Sequence, residues 1–285
     1  MMFVIKIFKA LRLTEVLLMS GFIIIGSIFS IENNPDDKWV NLTLVSIISY
    51  LLMLSVYTAN SFLGYNADKN NERLDSLKFV GKSFYIITTI IFYFTSFMMC
   101  LVIKPESLLL HFIIFLLWFL YAMPRFGKHL PVVGTVLHFL VTIVQFNFAY
   151  MFFYPISEVS ISISIFFALL ISAGHLHHEI IDFEVDKLNM IKTSTVKWGI
   201  SKTKYFSFLI FLIAHLYWIF LFKMGMIDKL QMFVFCSGFL IHFVLFIYFR
   251  NSIETKISKR LNYRFLYRLI YLICGLVITS KVLFL

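Results

Sequence analysis

Nine runs of mostly apolar residues follow one another along this chain, at 13–31, 39–63, 84–103, 107–123, 131–153, 159–177, 205–222, 230–249 and 265–285. A helix rises about 1.5 Å per residue and the hydrocarbon core of a bilayer is about 30 Å thick, so roughly 20 such residues cross it. Composition points the same way: 60% of the 285 residues are hydrophobic and 14% are charged, where a soluble domain carries about 25% charged residues. The expected fold class is an all-α polytopic membrane protein, with about nine transmembrane helices forming a single domain over residues 1–285. The first run follows a basic start and lacks a small-residue cleavage site, so it is expected to be a retained span. Lys104–Ser107, with Pro105 as the turn residue, separates the third run from the fourth.

Lysine and arginine orient the spans. With the N-terminus inside, the cytoplasmic side collects Lys6, Lys9, Arg12, Arg125, Lys128, Lys187, Lys192 and many others, whereas Lys38, Lys104, Lys223 and Lys229 face the opposite side. This asymmetry predicts a cytoplasmic N-terminus and an external C-terminus in a bacterial-type inner membrane. It also accounts for the net charge of +10 through basic loops facing anionic lipid, so the charge implies membrane lipid as a partner and no nucleic acid. Cys100, Cys236 and Cys274 stand singly in apolar runs, with neither metal-site nor disulfide spacing, and are read as packing residues.

Two cytoplasmic connections are long and polar, 64–83 after the second span and 178–204 after the sixth. If the second helix continues, Asn60, Gly64 and Asp68 share one face and Glu72 extends the row. In the second stretch Glu179, Asp182 and Asp186 again fall on one face. Any one of these carboxylates alone reads as a solvated loop charge. Two matched rows on one membrane side instead suggest oxygen ligands for a hard cation such as Mg2+, which usually shares its coordination with substrate phosphates. Lys69, Lys187 and Lys192 lie beside the rows to neutralise phosphate charge. Arg125 and Lys128, in "YAMPRFGKHLP" between the fourth and fifth spans, are either membrane-anchoring charges or a clamp on a diphosphate.

The histidines offer a competing reading. "HLHHE" at 175–179 could be one box of a di-iron oxygenase, but such sites need several boxes and His111, His129, His138, His215 and His242 are isolated. The histidines are therefore read as neighbours of a carboxylate site. Phe62, Tyr65 and Phe183 lie beside the motifs, and an aromatic wall there would suit a carbocation.

The second polar stretch resembles the UbiA family of intramembrane prenyltransferases. In "DFEVDKLNMIKTSTVKWG", Asp182, Asp186, Thr193 and Gly199 fall in register with the family's second acidic motif, with Met190 in place of a glycine. Asn60, Asp68 and Asn71 match its first motif, in which Ser61 and Gly64 replace acidic residues. "PRFGK" resembles its basic segment. The resemblance implies a helical bundle around a lateral cavity, and Mg2+ bridging the acidic motifs to a prenyl diphosphate. It implies Asp68, Asp182 and Asp186 as catalytic metal ligands, supported by Asn60 and Glu179, and Lys69, Arg125, Lys128 and Lys192 as diphosphate contacts. The implied activity is transfer of an isoprenyl group to an apolar aromatic, quinone-like or other lipid acceptor. A UbiA-like terpene cyclase and a non-catalytic lipid-binding protein remain the alternatives. A transporter is disfavoured, because no span outside the motif helices carries a midplane carboxylate or a broken segment.

Overall fold

The computed structural model describes residues 7–8, 10–31, 37–65 and 73–284, and its regular structure is helical throughout. The helices are α1 (Leu13–Ile28), α2 (Lys38–Gly64), α3 (Arg73–Ile103), α4 (Leu108–Ala122), α5 (Val133–Tyr150), α6 (Glu158–Leu188), α7 (Ser194–Trp198), α8 (Ile200–Lys223), α9 (Lys229–Phe249), α10 (Ser252–Thr255) and α11 (Ile257–Phe284). Among the described residues, eight helical segments are long and apolar enough to cross a membrane, which makes this an integral, multi-pass membrane protein. The first of the nine apolar runs corresponds to α1, which has 16 residues among the described ones, about 24 Å at the helical rise. Short 3-10 turns at Pro105–Ser107 and Gly127–His129 flank α4.

The chain divides into two compact units. The first comprises residues 1–129 and 140–156. Helix α2 is its buried centre, with Val45, Ile48, Leu52, Met53 and Val56 inside. Small and hydroxylated residues set how closely its helices approach, as is usual where lipid offers no hydrophobic drive between helices. Gly26 of α1 lies so near α5 that an added Cβ would sit 1.9 Å from the Phe146 carbonyl oxygen. Beside it, Ser27 Oγ donates to the Ala149 carbonyl at 3.3 Å. Thr89 donates to the Thr58 hydroxyl at 2.9 Å between α3 and α2, and Ser96 and His111 meet at 2.9 Å between α3 and α4. Ile87, Ile90, Phe94 and Val102 of α3 are exposed, the face a spanning helix turns to lipid. Gly81, at φ 74° and ψ 162°, interrupts α3 with backbone that only glycine adopts readily.

The second unit comprises residues 130–139 and 157–285. Its core is aromatic: Phe166 stacks on Trp218 at 4.0 Å, and Phe235 meets both rings edge-on. Between α9 and α11 a polar cluster is closed within the protein, with His242 Nε2 2.6 Å from the Tyr263 hydroxyl and Nδ1 3.2 Å from that of Tyr271. Helix α6 begins at a reciprocal cap in which Ser157 Oγ accepts from the Ser160 N–H at 3.2 Å and Ser160 Oγ from the Ser157 N–H at 3.0 Å. From there it runs unbroken for 31 residues, about 46 Å. That exceeds the hydrocarbon thickness, so a polar end projects beyond the apolar part of the helix.

Candidate active site at the end of α6

The stretch expected as a loop from residue 178 is helical to Leu188. The reason is spacing. His175, His178, Glu179, Asp182 and Asp186 recur at three and four residues, so a helix gathers them on one side and places the apolar Leu176, Ile180 and Ile181 in the core. The helix ends in a left-handed cap: the Ile191 N–H donates to the Asp186 carbonyl at 2.9 Å and the Met190 N–H to that of Lys187 at 3.3 Å. Met190 occupies the left-handed position at φ 55°, where a glycine would be unstrained.

Each acidic residue has a distinct setting. Glu179 is buried and turned toward the start of α7, accepting from the Thr195 N–H at 3.0 Å, Thr195 Oγ1 at 3.4 Å and Ser194 Oγ at 3.5 Å. The N-terminus of α7 is thus held by a carboxylate, the sign that a helix N-terminus favours. His175 Nδ1 lies 3.8 Å from the same carboxyl group, and the His175 ring stacks on His138 at 3.9 Å. Asp182, a turn further along, is half-exposed and pairs with His178 Nδ1 at 3.2 Å. Asp186 is half-exposed in the last turn of the helix. The two aspartates therefore remain accessible at the projecting end, whereas Glu179 is engaged in tying α6 to α7.

Among the other expected site residues, Asn60 is half-buried in the last turn of α2, and Gly64 closes that helix. Asp68 and Lys69 lie outside the described residues. Arg125 is exposed at φ 64° just after α4, Lys128 is half-buried in the following 3-10 turn, and Lys192 is exposed between α6 and α7. Among the described residues no three His, Cys, Asp or Glu side chains gather to hold a metal ion. Two half-exposed carboxylates one turn apart nevertheless suit Mg2+, which takes one or two protein carboxylates and completes its shell with water and phosphate oxygens.

Sequence reading missed the residues that support α6. Arg260 is buried and donates to Glu184 at 2.7 Å, to the Ile180 carbonyl at 3.2 Å and to the Ile253 carbonyl at 2.9 Å. Arg264 stands 3.5 Å from His178 Nδ1. The spacing of Arg260, Arg264 and Arg268 by four residues was the available signal, hidden because all three also count as ordinary cytoplasmic charges.

The fold has close structural counterparts. A digeranylgeranylglyceryl phosphate synthase superposes with a TM-score of 0.75 at 17% identity, with 100% of both chains covered. A UbiA homologue from Archaeoglobus fulgidus, solved with GPP and Mg2+, gives 0.74 at 15% identity over 96% of this chain and 99% of that one. A UbiA homologue from Aeropyrum pernix K1 in its apo form gives 0.65 at 11% identity, covering 92% and 98% respectively. No curated protein matches the sequence significantly. The profile of the UbiA prenyltransferase family, by contrast, matches residues 19–269, which take in most of each unit and the aspartates at the end of α6. Motif register, helical architecture and family profile converge on one assignment: this chain is an intramembrane prenyltransferase of the UbiA family.

Proposed function

We propose that this protein transfers an isoprenyl group from a prenyl diphosphate to an apolar acceptor, using Mg2+, and that residues 1–285 act as one transmembrane domain. The observation that carries the reading is the pair of accessible aspartates, Asp182 and Asp186, one turn apart at the projecting end of α6. Related folds solved with GPP or DMAPP together with Mg2+ support the same donor class and ion. Asp182 and Asp186 would hold the ion, joined by Asp68 on the strength of its motif position, with Asn60 in support. Glu179, committed to α7, acts by fixing the aspartate-bearing turn. When bound, Mg2+ neutralises phosphate charge and stabilises the departing pyrophosphate.

The protein's own groups do the remainder. Lys69, Arg125, Lys128 and Lys192 contact diphosphate oxygens, adding to the charge stabilisation of the leaving group. The allylic C–O bond breaks with its electron pair leaving on pyrophosphate. The acceptor supplies the pair for the new bond and releases a proton. Apolar and aromatic surroundings keep water from intercepting the cation. The active end of α6 and the N-terminus face the cytoplasm, in keeping with the lysine and arginine distribution.

Pyrophosphate release by purified protein given geranyl, farnesyl and geranylgeranyl diphosphate, with Mg2+ and with EDTA, tests the reading. Mg2+-dependent release that Asp182→Asn abolishes is the expected result. Absence of release with every donor, even when membrane extract supplies acceptors, would overturn it. A product formed without any acceptor would replace transfer by cyclisation.

A further inference from the structure

Arginines 260, 264 and 268 of α11 recur every four residues and so lie along one face of the helix. They have different employment. Arg260 is buried and consumed by Glu184 and backbone carbonyls, as described above. Arg264 is half-buried, and its Nη1 lies 3.5 Å from the His178 Nδ1 atom that is 3.2 Å from Asp182 Oδ2. A cation of α11 is thus two contacts away from a carboxylate of the acidic motif. Arg268 is exposed one turn further along, eleven residues beyond Ile257 and within the span Ile257–Val282, or about 16 Å from the helix start. Among the described residues no carboxylate lies within ion-pair distance of Arg268.

Anchoring at the membrane surface explains basic residues at the start of such a helix, such as Lys259 and Arg260. It is a weaker account of Arg268, the fourth residue of the apolar run 265–285, because a charge inside such a run is costly and generally serves a ligand or a partner. A guanidinium is also the side chain best matched to phosphate, because its planar fork donates two parallel hydrogen bonds.

We propose that Arg264 and Arg268 form an anion-binding face of the site that takes phosphate oxyanions of a substrate: the diphosphate of the prenyl donor or a phosphate ester carried by the acceptor. The inference rests on the prenyl-transfer reading for the identity of the substrates. His178 links the face to the acidic motif, its Nδ1 lying 3.2 Å from Asp182 Oδ2 and 3.5 Å from Arg264 Nη1.

Binding measured by calorimetry in neutral detergent tests it, with inorganic pyrophosphate, geranyl diphosphate and dodecyl phosphate as probes, each in Mg2+ and in EDTA. In EDTA the metal plays no part, and Arg264→Gln and Arg268→Gln are each expected to weaken binding of at least one probe about tenfold. Arg268→Lys, which keeps the charge and loses the fork, is expected to recover only part of the affinity. Lys256→Gln, an exposed charge near the same helix start, is expected to leave it unchanged. Loss for pyrophosphate and geranyl diphosphate assigns the face to the donor; loss confined to dodecyl phosphate assigns it to the acceptor. Unchanged affinity for all three probes in variants that unfold at the wild-type temperature would overturn the proposal. So would a loss seen only in association with phosphatidylglycerol nanodiscs, which would make these arginines lipid anchors. Weakened binding in a protein that releases no pyrophosphate would sink prenyl transfer and leave the anion face standing. Release with unaltered binding would do the reverse.

Discussion

Two backbone positions show how single residues shape the acidic end of α6. Met190 holds φ at 55°, a conformation that a residue with a Cβ enters at a cost of about 1–2 kcal/mol. Its side chain is 86% exposed and packs against little. Met190→Gly should therefore raise stability by up to about 1 kcal/mol in reversible denaturant unfolding, the gain being trimmed by glycine's larger unfolded-state entropy. Gly199 is the opposite case. At φ 82° and ψ 159° between α7 and α8 it occupies a region almost reserved for glycine, and Gly199→Ala should cost about 1–3 kcal/mol in the same assay. Glu179 and Asp182 should separate in kind. Glu179→Ala strips the buried Thr195 N–H and two hydroxyls of their acceptor and should lower stability by about 1–3 kcal/mol. Asp182→Asn should leave the melting temperature unchanged while pyrophosphate release disappears.

Between elements, two buried cations brace the end of the second unit that carries the acidic motif. Arg260 joins α6 to α10 and α11. Because Glu184 is 54% exposed and can rehydrate, Arg260→Met should cost about 2–3 kcal/mol, less than breaking a wholly buried pair. Lys204 of α8 reaches Glu254 of α10 at 2.5 Å and the Arg250 carbonyl. The Lys204 ammonium, and after it the Ser201 hydroxyl, hold the Glu254 carboxyl below its ordinary value of 4.5. A carboxyl whose folded pKa is depressed contributes stability that is complete above the unfolded value and is lost as pH falls through the folded one. Thermal unfolding should thus be insensitive to Glu254 between pH 7 and 5 and decline below about 4.5, and Glu254→Gln should flatten that decline. At the N-cap of α9, Asp228 works in the same direction: burial raises its pKa, but the Lys281 ammonium at 2.6 Å and the Gln231 N–H at 2.8 Å together leave it lowered.

Sidedness belongs to the whole chain. Met190 and Glu106 are both exposed, one after α6 and the other between α3 and α4. Introduced singly as Met190→Cys and Glu106→Cys in a background without the native cysteines, they should react with an impermeant thiol reagent from opposite faces, position 190 from the cytoplasm. Labelling of both from one face would contradict the charge-based orientation. At this scale the family profile, the helical architecture and the span pattern describe one kind of molecule.

The sequence by itself determined the membrane class, the approximate spans and the helical spacing of the acidic stretch, because hydrophobic length and helical spacing are local properties that no partner can alter. It placed Glu179, Asp182 and Asp186 on one face correctly as helical residues, although in a stretch expected to be mostly loop. Only the tertiary structure decided the setting of each carboxylate. Glu179 and Asp182 are equivalent by spacing, yet Ser194 and Thr195 at the start of α7 hydrogen-bond one and leave the other accessible. Arg260 and Arg264 likewise read as surface charges until α11 is laid against α6. A side chain's role depends on the group that folding brings to it from 15 or 86 residues away, and such distances leave no local trace in the sequence.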